Sequence, residues 1–226
     1  MLLNAEVRAQ LKDIFEKEFR EPVTIKLFSQ AIGCETCQTV ESLIEELRSA
    51  VGEDKIRYEL YTPVIDKEVA ERYGIDRIPT IVIEGDKDYG IRYIGLPAGL
   101  EFSTLVQGII QVSKREPKLS PQTIEHLKDI DTPIELMVFV TTSCGYCPSA
   151  AITAYNFALA SDYITAKVID ASENPDLAER FQVVGVPKIV INEGAVEFVG
   201  AQPENAFLGY IVSAYEKIKK EATASK

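Results

Sequence analysis

Residues 134–147 read Ile-Glu-Leu-Met-Val-Phe-Val-Thr-Thr-Ser-Cys-Gly-Tyr-Cys, an apolar run that ends in a Cys-x-x-Cys pair. A short apolar run bounded by polar residues predicts a buried strand, and the cysteines after it fall where a helix would begin. The same plan occurs earlier in the chain. Between Val23 and Cys37, the residues Ile25, Leu27 and Phe28 lead into Cys34-Glu35-Thr36-Cys37. The parallel then continues, since Arg77-Ile78-Pro79-Thr80-Ile81-Val82-Ile83 matches Gly185-Val186-Pro187-Lys188-Ile189-Val190-Ile191, and Tyr93-Ile94-Gly95 matches Phe198-Val199-Gly200. Four features in one order at nearly the same spacing, with cysteine-to-proline offsets of 45 and 43 residues, predict a tandem duplication. Its boundary falls near residues 116–121, giving an N-terminal unit 1–117 and a C-terminal unit 118–226.

Periodicity predicts the same element order in both units. The first reads as helix 5–19, strand 23–28, helix 34–50, strand 55–61, a short helix 67–73, strands 80–84 and 89–95, and helix 100–113. The second reads as helix 121–128, strand 134–141, helix 144–160, strand 166–170, helix 175–181, two strands, and a last helix 204–220. Gly85-Asp86-Lys87-Asp88 and Glu193-Gly194 supply turns for the hairpins. A βα crossover followed by a hairpin implies an α/β fold with a mixed sheet covered by helices on both faces. The sets Leu43, Ile44, Leu47 and Ile109, Ile110 keep helical spacing and are expected in the core.

The chain has 226 residues, of which 46% are hydrophobic, so two small domains can each bury a core. Its 35 acidic residues outnumber 24 basic ones, for a formal net charge of -11. Nucleic acids and anionic membrane surfaces demand clustered Lys and Arg, so neither is an expected partner. No apolar run approaches the roughly 20 residues of a membrane span, and residues 1–19 lack the apolar core of an export signal. The expectation is a cytoplasmic protein, where four cysteines are poorly explained as passive staples.

Thiol-disulfide exchange needs one thiolate that attacks and a second thiol that resolves the mixed disulfide. At a helix start the first cysteine of Cys-x-x-Cys faces free N–H groups and the positive end of the macrodipole, which favours its thiolate. Cys34 and Cys144 are therefore the expected nucleophiles, and Cys37 and Cys147, one turn inward, the resolving thiols. The two sites differ in their intervening residues. Glu35 places a carboxylate beside Cys34 and opposes its ionisation, whereas Gly145-Tyr146 adds no charge, so Cys144 is expected to be the more acidic thiol. Tyr146 could also pack on a substrate chain.

With these motifs the sequence resembles the thioredoxin superfamily, in which a Cys-x-x-Cys at a helix start faces a cis-proline that opens a strand. Pro79 and Pro187 hold that position. The resemblance implies that the backbone at Ile78 and Val186 binds an extended substrate beside the sulfurs. Over its whole length the chain is similar to the two-unit protein disulfide oxidoreductases of archaea and thermophilic bacteria, which resemble fused glutaredoxins. That similarity implies two tandem thioredoxin-like folds that reduce, oxidise or isomerise protein disulfides. Their only redox groups would be the cysteine pairs, with a thioredoxin-reductase-like flavoenzyme as electron donor. Thioredoxins also keep a buried carboxylate six residues before the first cysteine, where this chain has Phe28 and Val138. Glu135 could replace it in the second unit only by pointing inward.

Other readings compete. Two Cys-x-x-Cys pairs can share a zinc ion, but ribbon-type sites space them by ~15–20 residues, and here more than a hundred intervene. The pairs could also be fixed structural disulfides. A relay module of a peroxiredoxin-reducing flavoprotein has the same two-unit plan but characteristically keeps one redox pair, and a chaperone-like peptide binder would need none. His126, the sole histidine, falls on a polar helix and reads as a surface residue, and the run from Lys217 to Glu221 as a solvated, fraying helix end. No phosphate-binding glycine loop is present, so no nucleotide or flavin site is expected.

Overall fold

Alternation along the strands sorts the apolar residues into two layers, because neighbouring side chains on a strand point to opposite faces. In β1 (Val23–Phe28) Ile25 and Leu27 join one large core, while Phe28 joins a small cluster with Val82 and Ala70 on the other face. In β5 (Ile134–Val140) Leu136 and Val138 join the same large core, while Met137 and Phe139 pack with Phe181 and Ile169 on the far side. The computed structural model describes residues 2–224.

The first half continues with α1 (Ala5–Glu18), α2 (Glu35–Val51), β2 (Ile56–Tyr61), α3 (Lys67–Arg72), β3 (Thr80–Glu84), β4 (Asp88–Ile94) and α4 (Phe102–Lys114). The second contains α5 (Pro121–Leu127), α6 (Cys147–Ala160), β6 (Ile164–Asp170), α7 (Pro175–Arg180), β7 (Lys188–Ile191), β8 (Val196–Val199) and α8 (Glu204–Ala224). The short helices α3 and α7 cover one face of the sheet. The long helices contribute Leu43, Ile44 and Leu47, Ile109 and Ile110, Ala154 and Phe207 to the large core on the other.

The strands form one eight-stranded mixed sheet in the order β2-β1-β3-β4-β6-β5-β7-β8. The two halves are joined by the parallel pairing of β4 and β6, with Ile91 opposite Ala166 and Tyr93 opposite Val168, all fully buried. Each half would otherwise present an unpaired edge, and pairing the two satisfies both rows of backbone groups. Gly90, at φ +75°, permits this approach, since a Cβ there would lie 3.1 Å from Thr165 Cα. On the helical face α4 packs on α6, with the Tyr155 ring against Gly108. This contact makes α6 apolar nearly all round, with Ala150, Ala151, Ala154, Tyr155, Phe157 and Ala158 at most 2% exposed.

Most boundaries shift by a residue or two, and three of the differences have a clear physical reason. The second Cys-x-x-Cys helix starts at Cys147, not at Cys144, because Thr141–Tyr146 forms a turn closed by the Cys144 N–H on the Thr141 carbonyl, and Pro148 sits in the first helical turn. β6 begins at Ile164, extended by pairing with Ile134. The last helix runs to Ala224 without fraying at 217–219, because Lys217 donates to the Ala195 carbonyl and Lys219 pairs with Asp131. No helix among the described residues is long and apolar enough to cross a membrane.

Candidate active sites

β1, β4, β6 and β5 all run in one direction, so the loops after β1 and β5 leave the same edge of the sheet. These loops carry the two cysteine pairs, and the helices that follow lie on the same face. Four strand spacings separate β1 from β5, which puts the sites about 19 Å apart along the edge. Direct sulfur-to-sulfur exchange between them is out of reach.

Each pair is closed as a disulfide within its own motif, with Cα–Cα separations of 5.2 Å for Cys34–Cys37 and 5.4 Å for Cys144–Cys147. Cys34 and Cys144 are half-buried, whereas Cys37 and Cys147 are fully buried in the first helical turn. Cys34 caps α2, its sulfur accepting a hydrogen bond from the Cys37 N–H at 3.2 Å. Cys144 lies three residues ahead of α6, and its sulfur sits 3.7 Å from the Val186 carbonyl oxygen.

The Ile78–Pro79 and Val186–Pro187 peptide bonds are cis. Both prolines are buried while Ile78 and Val186 are partly exposed, and the Pro79 and Pro187 carbonyls accept from the N–H groups of Gly95 and Gly200. Tyr146 is 75% exposed beside Cys144. Glu35 is exposed. Glu135 does not turn inward, since it pairs with Lys167 at 2.6 Å, and His126 is a surface residue.

The two halves contribute to each other's sites. Arg77, two residues before Pro79, makes a two-pronged contact with Asp176 at 3.0 and 2.5 Å. Glu173 takes hydrogen bonds from the Thr36 side chain and the Leu96 N–H, and burial and the neighbouring Asp170 hold its carboxyl above the usual range. In the other direction, the 99–101 turn of the first half packs on α6, and its Leu100 N–H donates to the Thr142 carbonyl at 2.9 Å. Gly99, at φ +56°, is needed there, because a Cβ would meet the Thr142 oxygen at 2.5 Å.

That turn delivers Glu101, a residue the motif pattern does not reveal. It is 0% exposed, and neither carboxylate oxygen makes a regular hydrogen bond among the described residues, although the Thr104 hydroxyl stands close. Burial pushes its pKa up to about 7, with Thr104 opposing and Asp170 adding to the rise. In sequence it reads as an acidic residue in a first helical turn, where exposure is the rule. The available signal was the empty carboxylate position at Val138 beside a Glu flanked by Leu100 and Phe102.

A family model described as a thioredoxin domain matches residues 134–213. A protein disulfide oxidoreductase of Aeropyrum pernix superposes with a TM-score of 0.86 at 30% identity, over 94% of both chains. The fold also matches the alkylhydroperoxide reductase AhpF of Enterococcus faecalis, with a TM-score of 0.84 at 23% identity over 93% of this chain and 100% of that one. By sequence, the chain is 28% identical to the AhpF alkyl hydroperoxide reductase protein of Pseudomonas aeruginosa over 84% of its length, and 24% identical to an NADH dehydrogenase of Bacillus subtilis over 85%. It spans 34% and 35% of those two relatives.

Proposed function

The chain belongs to the protein disulfide oxidoreductases of the thioredoxin superfamily, and from that membership we propose that it exchanges disulfides with other proteins at two centres, one in unit 1–117 and one in unit 118–226. The observation that carries this reading is that both motifs pair a partly exposed first sulfur with a fully buried second one. Reduction of a substrate starts with the Cys144 or Cys34 thiolate attacking one sulfur of the substrate disulfide. The other sulfur leaves as a thiolate and takes a proton. Cys147 or Cys37 then loses its proton and attacks the first cysteine, releasing the second substrate thiol and closing the protein disulfide. The substrate gains two electrons and two protons in all. An external dithiol or a thioredoxin-reductase-like flavoenzyme returns them, and run backwards the cycle oxidises.

The extended substrate backbone lies against Ile78–Pro79 or Val186–Pro187, with Tyr146 beside it at the second centre. Near that centre the turn bonded to Thr142 carries Glu101, a buried carboxyl whose pKa is pushed up to about 7. The acidic charge and two exchangeable pairs fit a cytoplasmic setting, where disulfides turn over.

The test is reduction of insulin by dithiothreitol. The wild type should accelerate it and the Cys34→Ser, Cys144→Ser variant should not; equal acceleration by both would overturn the reading. A dedicated electron relay is the second reading, favoured by the relatives named as alkyl hydroperoxide reductase proteins. It predicts rapid reduction by a flavoprotein and negligible turnover with insulin.

A further inference from the structure

The two centres differ in what surrounds them. Ile32 precedes Cys34 by two residues and is 88% exposed, and Val64 and Ile65, on the loop after β2, are 74% and 80% exposed. The two loops are neighbours. β1 and β2 pair in parallel with Phe28 opposite Tyr61, and the Ser29 N–H donates to the Tyr61 carbonyl at 2.9 Å, so both loops leave the edge side by side next to the first disulfide.

These side chains are held outward by ordered backbone. The Ile65 and Asp66 N–H groups both bond to the Thr62 carbonyl at 2.8 Å, and the Asp66 carboxylate accepts from the Thr62 N–H at 2.8 Å. The 62–66 loop is thereby closed on itself with Val64 and Ile65 at its tip. Gly33, at φ +77°, turns the chain just after Ile32, and Gln38 donates to the Ala31 carbonyl. Large aliphatic side chains presented to water by a rigid frame next to a reactive sulfur mark a surface that is covered in use.

The second centre lacks this border. Thr142 and Ser143 stand where Ile32 and Gly33 stand in the first, and the loop after β6 reads Ala171-Ser172-Glu173-Asn174. That loop is also occupied by the first half, through Glu173 on Thr36 and Arg77 on Asn174. The exposed large apolar groups near Cys144 are Tyr146, Val184 at 98% and, on the turn bonded to Thr142, Leu100 at 47%, each on a different segment.

We propose that Ile32, Val64 and Ile65 form a docking border for the first centre, selecting polypeptide segments that carry large aliphatic or aromatic side chains next to the cysteine to be exchanged. The occupant is a non-native protein segment, since folded proteins bury such residues. This follows from the continuity of the border with the Cys34 site, and it rests on the disulfide-exchange reading above. The substrate contact is non-directional, so it selects composition and not sequence.

The test uses the full chain with one centre left active. In a Cys144→Ser, Cys147→Ser background, kcat/KM is measured on two disulfide-linked peptides that differ only in the residues flanking the cysteine, Leu and Phe in one, Ser and Asn in the other. The apolar peptide should be preferred by about tenfold or more, the discrimination a buried aliphatic contact provides. Ile32→Ser, Val64→Ser, Ile65→Ser together should bring the ratio close to one, and should not move the ratio measured at the second centre in a Cys34→Ser, Cys37→Ser background. A preference that survives the triple substitution, or a wild-type ratio near one, would overturn the proposal. If neither peptide nor hydroxyethyl disulfide is reduced at the first centre, the exchange reading itself falls.

Discussion

Replacing Glu101 with Gln should stabilise the protein in a way that depends on pH. The carboxyl is fully buried and its pKa is raised from 4.5 to about 7. A group whose folded pKa lies above its unfolded value contributes most when both states are protonated, below about pH 4.5. As pH rises towards 7 the unfolded chain releases its proton first, so stability falls. Above 7 the loss levels off. At ~1.4 kcal/mol per unit the displacement amounts to about 3 kcal/mol, an upper figure because local opening admits water. Glutamine keeps the shape without the ionisation. Urea unfolding of both proteins with disulfides closed, from pH 4 to 8.5, should give a stability difference that grows by about 3 kcal/mol in favour of Glu101→Gln, with most of the change between pH 4.5 and 7. A stability difference that stays constant across this range would refute the buried-carboxyl argument.

Three further outcomes are expected. Glu35→Gln should lower the thiol pKa of Cys34, more at low salt than at ~1 M, where the Debye length shrinks to about 3 Å, because Glu35 is exposed; pH-dependent alkylation of single-pair variants checks this, and an unmoved Cys34 would remove Glu35 as the cause of asymmetry. Gly99→Ala should cost about 2 kcal/mol or more in urea, since its φ of +56° disfavours a side chain and its Cβ would meet the Thr142 oxygen at 2.5 Å, whereas Gly145→Ala, with nothing within 4 Å, should stay within about 0.5 kcal/mol. Glu46, held at about 2 by the Leu3 and Leu2 N–H groups and by Arg8, contributes stability above pH 4.5 that is lost as pH falls towards 2. Glu46→Gln should therefore flatten the acid limb of the stability profile over that window, and an acid limb identical to wild type would contradict the assignment.

Local chemistry wrote much of this fold into the sequence. The alternation in Ile25-Lys26-Leu27-Phe28 and Leu136-Met137-Val138-Phe139 specifies strands with two covered faces, and the helical spacing of Leu43, Ile44 and Leu47 specifies a helix on one of them. The cysteine pairs and the prolines facing them are visible because thiol exchange fixes both residue type and spacing. Contacts between the halves are not. The pairing of β4 with β6 joins strands about seventy residues apart, and Ile91 and Tyr93 show the same alternation whether their edge is free or covered. The start of α6 is not legible either, because a helix beginning at Cys144 or at Cys147 satisfies the same periodicity, and only the turn hydrogen bond to Thr141 decides between them.

Glu101 shows why such contacts bear on chemistry as well as shape. A buried carboxyl near a dithiol can be supplied from the strand that leads into the cysteines, but here Phe28 and Val138 hold those positions and commit both strands to apolar packing. A buried carboxyl, Glu101, does come in from the first half, on a turn whose approach to the Thr142 loop requires Gly99 and whose position is set by Leu100 on Thr142. At the first centre no buried acid is supplied in return among the described residues. What approaches is Glu173, an exposed residue whose carboxyl reaches Thr36 at the sheet edge. The two acids thus differ in solvation: Glu101 is fully buried with its pKa pushed up to about 7, whereas Glu173 stays exposed and is raised by partial burial and by Asp170. The burial of Glu101 therefore depends on contact between the two halves of the chain, because the turn that carries it is anchored on Thr142.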